Sequence, residues 1–465
     1  MDIISGVFAG FVLLVVVIYY PLPRRWQNVW LLAASYVFYV TWAWQFALVL
    51  LALTAITYGL GRAVKGRTGL LWLGIGANVA ALAFFKYADF FVGQWMALFH
   101  IAGDPGALQI LLPVGLSYLV LQMISYLIDS YRGQMPAAGP LDFALYAAYF
   151  PKLLSGPIER AREFLPQLAQ DRVVDNERLG RSVTLIVVGL VRKVVIASYL
   201  SGQVTALLSQ PGKNGPAGLI LGLIMYGVYL YNDFAGYTGI VRGVSGLMGI
   251  ELSPNFMTPF FARTFTEFWN RWHISLSHWL RDYIYFPISR ALLRRDPDPR
   301  WLPNLVVAPL VTMLVSGLWH GAALGLLFWG LLHGLYQAVE RLGGLWLRPT
   351  PPHKWPLWRQ IAGAVTVFVL ATAAWLPFRD DGFFSGAFLR AFNGKGSIAV
   401  GQPLMLAGAL IGVSLLIDWA QAHGGDEAAF MRWPRLAQSA ALALAVLVIF
   451  LSALKPIPTF VYQGF

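Results

Sequence analysis

Long apolar stretches separated by short polar connections recur along the whole chain. Most are close to the roughly 20 residues that a helix needs to cross the ~30 Å hydrocarbon core of a bilayer. The pattern therefore predicts an all-α membrane protein, a polytopic bundle of about 11–13 transmembrane and re-entrant helices. The apolar segments occupy residues 3–20, 29–61, 69–98, 107–128, 142–157, 182–208, 216–236, 305–338, 359–378, 403–420 and 437–456.

Two of these segments do not fit one perpendicular helix. Residues 29–61 are too long for a single crossing, and the polar stretch 41–45 predicts a hairpin there. Residues 142–157 are short and are interrupted by Pro151 and Pro157. Because a broken helix at membrane depth is stable only inside protein or beside a water-filled cavity, we expect a re-entrant segment here.

The first apolar segment is similar to a signal peptide in length only. Asp2 is the one early charge, no small-residue cleavage site follows, and Arg24 and Arg25 end the segment. These features predict a retained first span with the N-terminus outside. None of the later connections is long enough for a soluble domain, so we expect residues 1–465 to form one integral membrane domain.

The composition agrees with a membrane protein. Charged residues make up 12% of the chain and hydrophobic residues 58%, whereas soluble domains carry about 25% charged residues. The net charge of +12 comes from basic residues in short connections, which fits loops facing anionic headgroups and argues against nucleic-acid binding. These basic residues include Arg62, Lys65, Arg67, Arg160, Arg162, Arg192, Lys193, Arg294 and Arg295. The chain has no cysteine, which excludes disulfides, thiolate nucleophiles and thiolate metal ligands.

Residues 260–290 combine many aromatic residues with many charges, which is unusual for a lipid-facing span. If the segment is helical, Glu267 and Arg271 are i,i+4 partners, and so are His278 and Asp282. One interpretation is an interfacial helix anchored by aromatic side chains, with its charges in the headgroups. The other is a polar helix lining a cavity that admits a polar substrate.

His320 lies near the middle of the 34-residue apolar run 305–338. At about 1.5 Å per residue it is ~20 Å from either end of the run, so its depth depends on where the helix breaks. Two half-helices meeting at Gly317 or Gly321 would place His320 at mid-depth. A hairpin would place it near the far face.

His320 is also the residue whose chemistry is easiest to connect with a reaction. An ionisable residue inside a membrane is a functional candidate, although a neutral histidine bonded to a nearby carbonyl is the structural alternative. Imidazole accepts and donates protons near neutral pH, as a general base for acyl transfer must. Since no Gly-x-Ser-x-Gly elbow is present, direct attack by an acceptor hydroxyl on an activated acyl group is the simpler scheme. The histidines lack ligand spacings typical of metal sites, so we expect no metal.

Other polar residues lie within apolar surroundings. We expect Asp233 either to pair with a basic residue of segment 263–281 or to be a helix-end carboxylate at the interface. A second group suits hydrogen bonding between helices. It comprises Ser117, Gln122, Ser125 and Asp129.

Five short motifs along the chain have a recognisable residue order. They read PVGLSY at 113–118, FPKLLSGP at 150–157, FWNRWHISLSHWLRDY at 268–283, GLWHGA at 317–322 and WLPFR at 375–379. Together they resemble the motifs of the membrane-bound O-acyltransferases, especially their bacterial alginate O-acetylation branch. The resemblance covers a core of about residues 25–380, followed by extra C-terminal spans at about 403–456.

The resemblance implies a helical bundle around a central funnel or tunnel. It assigns the catalytic histidine at the base of this funnel to His320 and the second functional histidine to His273. Combined with the polar residues noted above, it gives a set of substrate-binding or tunnel-lining candidates. They are Trp319, Trp269, Asn270, Arg271, Trp272, Ser277, Arg281, Asp282 and Asp233.

The implied activity is transfer of an acyl group, most simply acetyl, from a thioester donor on the cytoplasmic side. Acetyl-CoA or an acyl-carrier thioester would be a donor substrate, with no tightly bound cofactor. The acceptor would be a hydroxyl of an extracytoplasmic polysaccharide or a periplasmic acetyltransferase partner, which implies the bacterial inner membrane. In that branch a second aspartate follows the one at Asp233, but this chain has Gly239 at that position. The difference concerns which substrate and partner the chain uses.

Two alternatives to this activity remain. D-alanyl transfer to teichoic acid from a carrier protein belongs to the same family, although the extra C-terminal spans favour acetylation. A non-enzymatic transporter or flippase is the alternative from another class, because broken helices and buried polar groups also mark transporters.

Overall fold

The computed structural model describes residues 1–101, 110–135, 138–209, 211–298, 300–346, 350–379, 386, 396 and 401–453. Within these residues the chain is helical and contains no strand, apart from one isolated bridge between Phe256 and Trp272. The predicted all-α, polytopic membrane fold is therefore confirmed. Eight helices of the described part are long and apolar enough to span a membrane. They are Trp44–Ala63, Thr68–Asp89, Asn176–Leu208, Lys213–Leu247, Leu302–His320, Leu357–Arg379, Gln402–Gly424 and Arg435–Ala453.

The α-helices follow the predicted segments closely. They are α1 (Gly6–Tyr19), α2 (Arg24–Val40), α3 (Trp44–Ala63), α4 (Thr68–Leu98), α5 (Leu116–Tyr131), α6 (Pro140–Ala148), α7 (Phe150–Leu153), α8 (Ala161–Leu168), α9 (Asn176–Leu190), α10 (Ser198–Leu208), α11 (Pro211–Leu247), α12 (Phe265–Trp269), α13 (Ile274–Leu280), α14 (Phe286–Leu293), α15 (Leu302–His320), α16 (Leu324–Trp346), α17 (Leu357–Arg379), α18 (Gln402–Gly424) and α19 (Arg435–Ala453).

The predicted break at residues 41–45 is confirmed, because α2 ends at Val40 and α3 begins at Trp44. Residues 107–109 and 454–456 of the predicted segments lie outside the described residues. By its internal contacts the chain divides into two compact units. Unit 1 contains residues 1–186 and 238–253, and unit 2 contains residues 187–237 and 254–465.

In unit 1, two of the four polar residues predicted on the buried helix α5, Gln122 and Asp129, contact neighbouring elements. Gln122 accepts a hydrogen bond from the ammonium group of Lys152, a completely buried residue of α7. Lys152 also lies 4.6 Å from the ring centroid of Tyr146. Asp129 lies 3.8 Å from the guanidinium of Arg162. The interruption predicted around Pro151 is present between α6 and α7, and protein surrounds it.

In unit 2, two basic residues lie where the sequence did not place them. The sequence predicts Arg192 and Lys193 in a polar connection, but they lie in a π-helical turn, Val191–Ala197, that joins α9 to α10. Both are buried, with 3% and 2% of their surface exposed. The helix continues because apolar residues flank the two charges on both sides and because carboxylates from other helices neutralise them. Arg160 of unit 1, also assigned to a connection, is buried as well.

The structure gives Asp233 a partner that the sequence did not predict. Asp233 is buried within α11 and forms an ion pair with Lys193, at 2.5 Å. It is therefore not a helix-end carboxylate at the interface. Its partner Lys193 lies in the π-helical turn Val191–Ala197.

Arg192 is held by a network that reaches the extra C-terminal part of the chain. Its guanidinium lies 2.5 Å from the carboxylate of Asp418, which belongs to α18. It also donates to the side-chain oxygen of Asn232 at 3.1 Å, and Tyr231 donates its hydroxyl proton to Asp418 at 2.8 Å. Leaving one partner of a buried ion pair uncompensated costs about 3–5 kcal/mol, so Asp418 ties α18 to the turn that contains Arg192.

We predict that Asp418→Ala lowers the thermal unfolding midpoint of the detergent-solubilised protein by roughly 5–10 °C, because Arg192 is left buried without its carboxylate. The matched control is Asp171→Ala, which removes an exposed carboxylate. Replacing both Arg192 and Asp418 by leucine should cost less than the single change. Equal midpoints for the Asp418 and Asp171 variants would contradict this account.

Candidate functional site

The apolar run that contains His320 folds as a helical hairpin. Helix α15 ends at His320, and α16 begins four residues later. The two arms pack closely and antiparallel, since a Cβ at Gly317 would collide with the carbonyl of Leu326 and one at Gly330 with that of Met313. The hairpin alternative is therefore confirmed. His320 lies at the end of the first arm, whose 19 residues extend ~28 Å.

Aromatic rings surround the imidazole of His320. The ring centroids of Trp319, Phe378 and Trp329 lie 4.9, 5.2 and 5.3 Å from that of His320. Phe378 comes from α17, and Trp329 comes from the second arm of the hairpin. Only 4% of His320 is exposed, so its imidazole is removed from bulk water.

His273 directly precedes α13 in the left-handed conformation, with φ 43° and ψ 53°. Such a conformation is unusual outside glycine and persists only where the surroundings fix it. Here Asn255 fixes the following residues. Its carbonyl accepts from the amide of Ile274 at 2.9 Å, and its side-chain oxygen accepts from the hydroxyl of Ser275 at 2.6 Å.

Trp319 brings the two predicted histidines into one cluster. Its ring lies 6.2 Å from that of His273 and 4.9 Å from that of His320. His273 also packs edge-on against Phe234, at 4.8 Å. His273 lies outside the eight candidate spans, and burial lowers its pKa to about 3, so its imidazole is neutral at physiological pH.

Unit 2 also contains a pocket of about 220 Å³. Four of the predicted residues line it: Trp269, Asn270, Ser277 and Arg281. Arg341 of α16 adds a second guanidinium to the lining. This pocket is what the cavity-lining interpretation of segment 260–290 requires, and its two guanidinium groups favour an anionic ligand.

Segment 260–290 is not one continuous helix. It consists of α12, a turn that contains His273, α13, a π-helical turn at Arg281–Tyr285, and α14. The predicted pair of Glu267 and Arg271 is present as an ion pair although Arg271 lies beyond α12. The break between α12 and α13 occurs because the left-handed residue His273 cannot continue a helix.

The other predicted site residues have structural contacts of their own. Arg271 donates to the carbonyl of Thr258 at 3.3 Å in addition to its ion pair. Trp272 packs against Trp375, at 5.0 Å between ring centroids. Asp282 accepts a hydrogen bond from Nε of Arg281 at 3.0 Å and so orients a pocket residue. Asp233 belongs to the Lys193 ion pair described above.

The sequence did not single out several residues that build this site. Glu340 accepts hydrogen bonds from the backbone amides of Phe265 and Thr266, at 2.5 and 3.3 Å, and so holds the start of α12. Trp329 and His333 of α16 pack against each other in the aromatic cluster around the site. Their i,i+4 spacing places them on one helix face, and this spacing is the sequence signal that could have indicated them. Within the described part of the chain, no three histidine or acidic side chains are grouped as metal ligands.

Comparison with known proteins adds an independent observation. A family model described as membrane-bound O-acyltransferase, MBOAT, matches residues 63–378. The probable alginate O-acetylase AlgI of Pseudomonas putida is 36% identical over 378 residues, covering 78% of this chain and 74% of that protein. The peptidoglycan O-acetyltransferase of Helicobacter pylori is 29% identical, with coverages of 76% and 71%. The teichoic acid D-alanyltransferase of Streptococcus thermophilus is 30% identical, with coverages of 57% and 67%.

We predict that Gly317→Ala lowers the thermal unfolding midpoint, because the added methyl group would collide with the Leu326 carbonyl of the facing helix. Overpacking of this kind costs about 1–3 kcal/mol. The matched control is Gly343→Ala in the same hairpin, where the space around the Cβ is open and alanine favours the helix by about 0.5–1 kcal/mol. A midpoint for Gly317→Ala at or above that of Gly343→Ala would contradict the close hairpin contact.

Proposed function

Because this chain belongs to the membrane-bound O-acyltransferase family, we propose that it transfers an acetyl group from a thioester donor to hydroxyls of an extracytoplasmic polysaccharide. The chain is a multi-pass membrane acyltransferase. The acetyl group, the thioester and the polysaccharide are the proposed details. Transfer would be direct or through a periplasmic acetyltransferase partner, and the protein would act in the bacterial inner membrane.

The observation that carries this proposal is the position of His320. Its imidazole is buried among Trp319, Trp329 and Phe378 at the end of a hairpin arm, next to the ring that also contacts His273. Because these rings exclude bulk water, little water competes with the acceptor hydroxyl as the nucleophile, which favours acyl transfer over hydrolysis of the thioester.

His320 acts as the general base in the proposed reaction. An imidazole nitrogen takes the proton of the acceptor hydroxyl while the hydroxyl oxygen attacks the thioester carbonyl carbon. The new C–O bond forms, the C–S bond breaks, and the proton passes to the departing thiolate. His273, which is neutral, contributes a hydrogen bond near the same centre rather than a positive charge.

The pocket supports the proposed donor class. Acetyl-CoA carries phosphate groups, and guanidinium groups bind phosphate through paired, charge-assisted hydrogen bonds. Arg281 and Arg341 line the pocket and would hold these phosphates, while Trp269 provides an aromatic wall. An acyl-carrier thioester has a phosphate too, so the same two residues would serve that donor. In either case the thioester is a substrate and not a resident cofactor.

The relatives support acetylation of a polysaccharide over the alternatives. The alginate O-acetylase matches 78% of this chain, whereas the D-alanyltransferase matches 57%. D-alanyl transfer to teichoic acid is therefore the second candidate, supported by that shorter match. Membership of an acyltransferase family removes the basis for a non-enzymatic transporter.

We predict that His320→Ala reduces acetyl transfer by at least roughly 100-fold, the lower range for loss of a general base. Purified protein in liposomes would receive acetyl-CoA labelled in the acetyl group together with an uronic-acid polysaccharide. The matched control is His353→Ala, an exposed histidine outside the site. Acetyl transfer at the wild-type rate in His320→Ala would contradict the assignment of His320 as the general base. Transfer only from D-alanyl-charged carrier protein would instead favour the second candidate.

A separate prediction concerns the donor pocket. Arg341→Met should raise the KM for acetyl-CoA by about 10-fold and change kcat little, because one charge-assisted phosphate contact is lost before the chemical step. Arg435→Met removes an exposed arginine and should leave both constants unchanged. If Arg341→Met lowers kcat alone, the pocket does not bind the donor phosphates.

A further inference from the structure

His333 lies in α16 and is completely buried, and the reaction described above does not use it. Neither of its ring nitrogens has a hydrogen-bond partner among the described residues. Burying a polar atom without a hydrogen bond is costly, and a phenylalanine ring would fill the same space without that cost. The nitrogens therefore need a partner that is not a protein side chain of the described part.

Three tryptophans surround His333, and each of them also has a buried ring nitrogen without a hydrogen-bond partner among the described residues. The ring centroids of Trp329, Trp269 and Trp375 lie 5.0, 5.1 and 6.4 Å from that of His333. We refer to these four residues as the aromatic cage. It contains three N–H donors and an imidazole that can donate and accept.

The burial of the cage limits the ligands that it can hold. None of its four side chains is more than 8% exposed, so a ligand as large as a sugar or a nucleotide does not reach the four rings from bulk solvent. A buried water molecule needs two to four polar partners, and the cage supplies five polar atoms. Water is therefore the ligand that fits both the burial and the chemistry.

The cage contacts the reaction centre on one side and the pocket on the other. Trp329 packs against both His320, at 5.3 Å, and His333, at 5.0 Å. Trp269 belongs to the cage and also lines the 220 Å³ pocket. Water in the cage would thus connect the proposed base with the proposed donor site.

We propose that the aromatic cage binds ordered water and that His333 relays the reaction's proton through it. This inference rests on the proposed function. The proton that His320 takes from the acceptor hydroxyl passes to cage water, and that water gives a proton to one nitrogen of His333. The other nitrogen of His333 releases a proton to water on the pocket side. The thiolate left by C–S cleavage takes up that proton, so the hydroxyl proton is replaced and no charge accumulates.

The test compares His333→Phe, His333→Gln and the wild-type protein in liposomes. In His333→Phe we expect kcat to fall at least about 10-fold, with the KM for acetyl-CoA within about twofold, because relay and not binding is lost. The unfolding midpoint of His333→Phe should not rise, because phenylalanine cannot hold the water to which the indole N–H groups donate. In His333→Gln, hydrogen bonding to water is kept, so we expect a midpoint within about 2 °C of wild type and a kcat that stays low.

Tyr336→Phe is the matched control, because it removes a hydroxyl from a neighbouring ring of the same helix and leaves the cage nitrogens intact. It should leave kcat and the midpoint unchanged. A dry cage would make His333→Phe melt above wild type, since two unsatisfied nitrogens disappear, and that result would overturn the proposal. Wild-type kcat in His333→Phe or in His333→Gln would overturn the relay.

These outcomes are distinguishable from failure of the proposed function. The unfolding midpoint of His333→Phe reports on the cage even if the wild-type protein transfers no acetyl group. Conversely, loss of transfer in His320→Ala together with full transfer in His333→Phe would keep the proposed function and remove the relay.

Discussion

Charge compensation inside apolar helices is the constraint on which the packing of unit 2 depends. Arg192 and Lys193 are consecutive and buried, so each needs a carboxylate from another helix, and Asp418 and Asp233 supply them. The π-helical turn at Val191–Ala197 places both cations within the span. The pairing fixes α11 and α18 against this turn, because a misplaced helix would leave a buried charge without a partner.

The same network touches the residues around the candidate site. Tyr231 donates to Asp418 and packs against Phe256 and Trp272, at 5.7 and 6.2 Å. Trp272 directly precedes His273, whose left-handed backbone is held from the other side by hydrogen bonds that link Asn255 with the start of α13. Helix α18 lies beyond the residues matched by the family model, yet through Asp418 and Tyr231 it helps to position the motif at residues 268–283.

Aromatic packing gives the site its second property, which is exclusion of bulk water. His320, His333 and the tryptophans between them form one continuous set of ring contacts from α15 to α17. Rings fill space tightly yet bring N–H groups into the interior, so the cluster is apolar overall with a few polar atoms at fixed positions. A transfer reaction that must outcompete hydrolysis benefits from this arrangement.

The sequence alone determined the membrane class, most helix positions and the break between α2 and α3, because span length and hydropathy are local properties. It also indicated His320, since an ionisable residue in an apolar run stands out, and the family motifs added His273. It did not determine partners that are distant along the chain. Asp418 lies 226 positions from Arg192, and no local pattern links them.

Only the tertiary structure decided how the run around His320 folds. Hydropathy is equally compatible with two half-helices and with a hairpin, and the close approach of α15 and α16 at Gly317 and Gly330 selects the hairpin. Tertiary packing likewise placed His333 among three indoles and separated Arg281 from Arg271, although both lie in one motif. Side-chain direction in a broken segment depends on where the backbone turns, and the turn at His273 is fixed by contacts with Asn255 rather than by its neighbours in sequence.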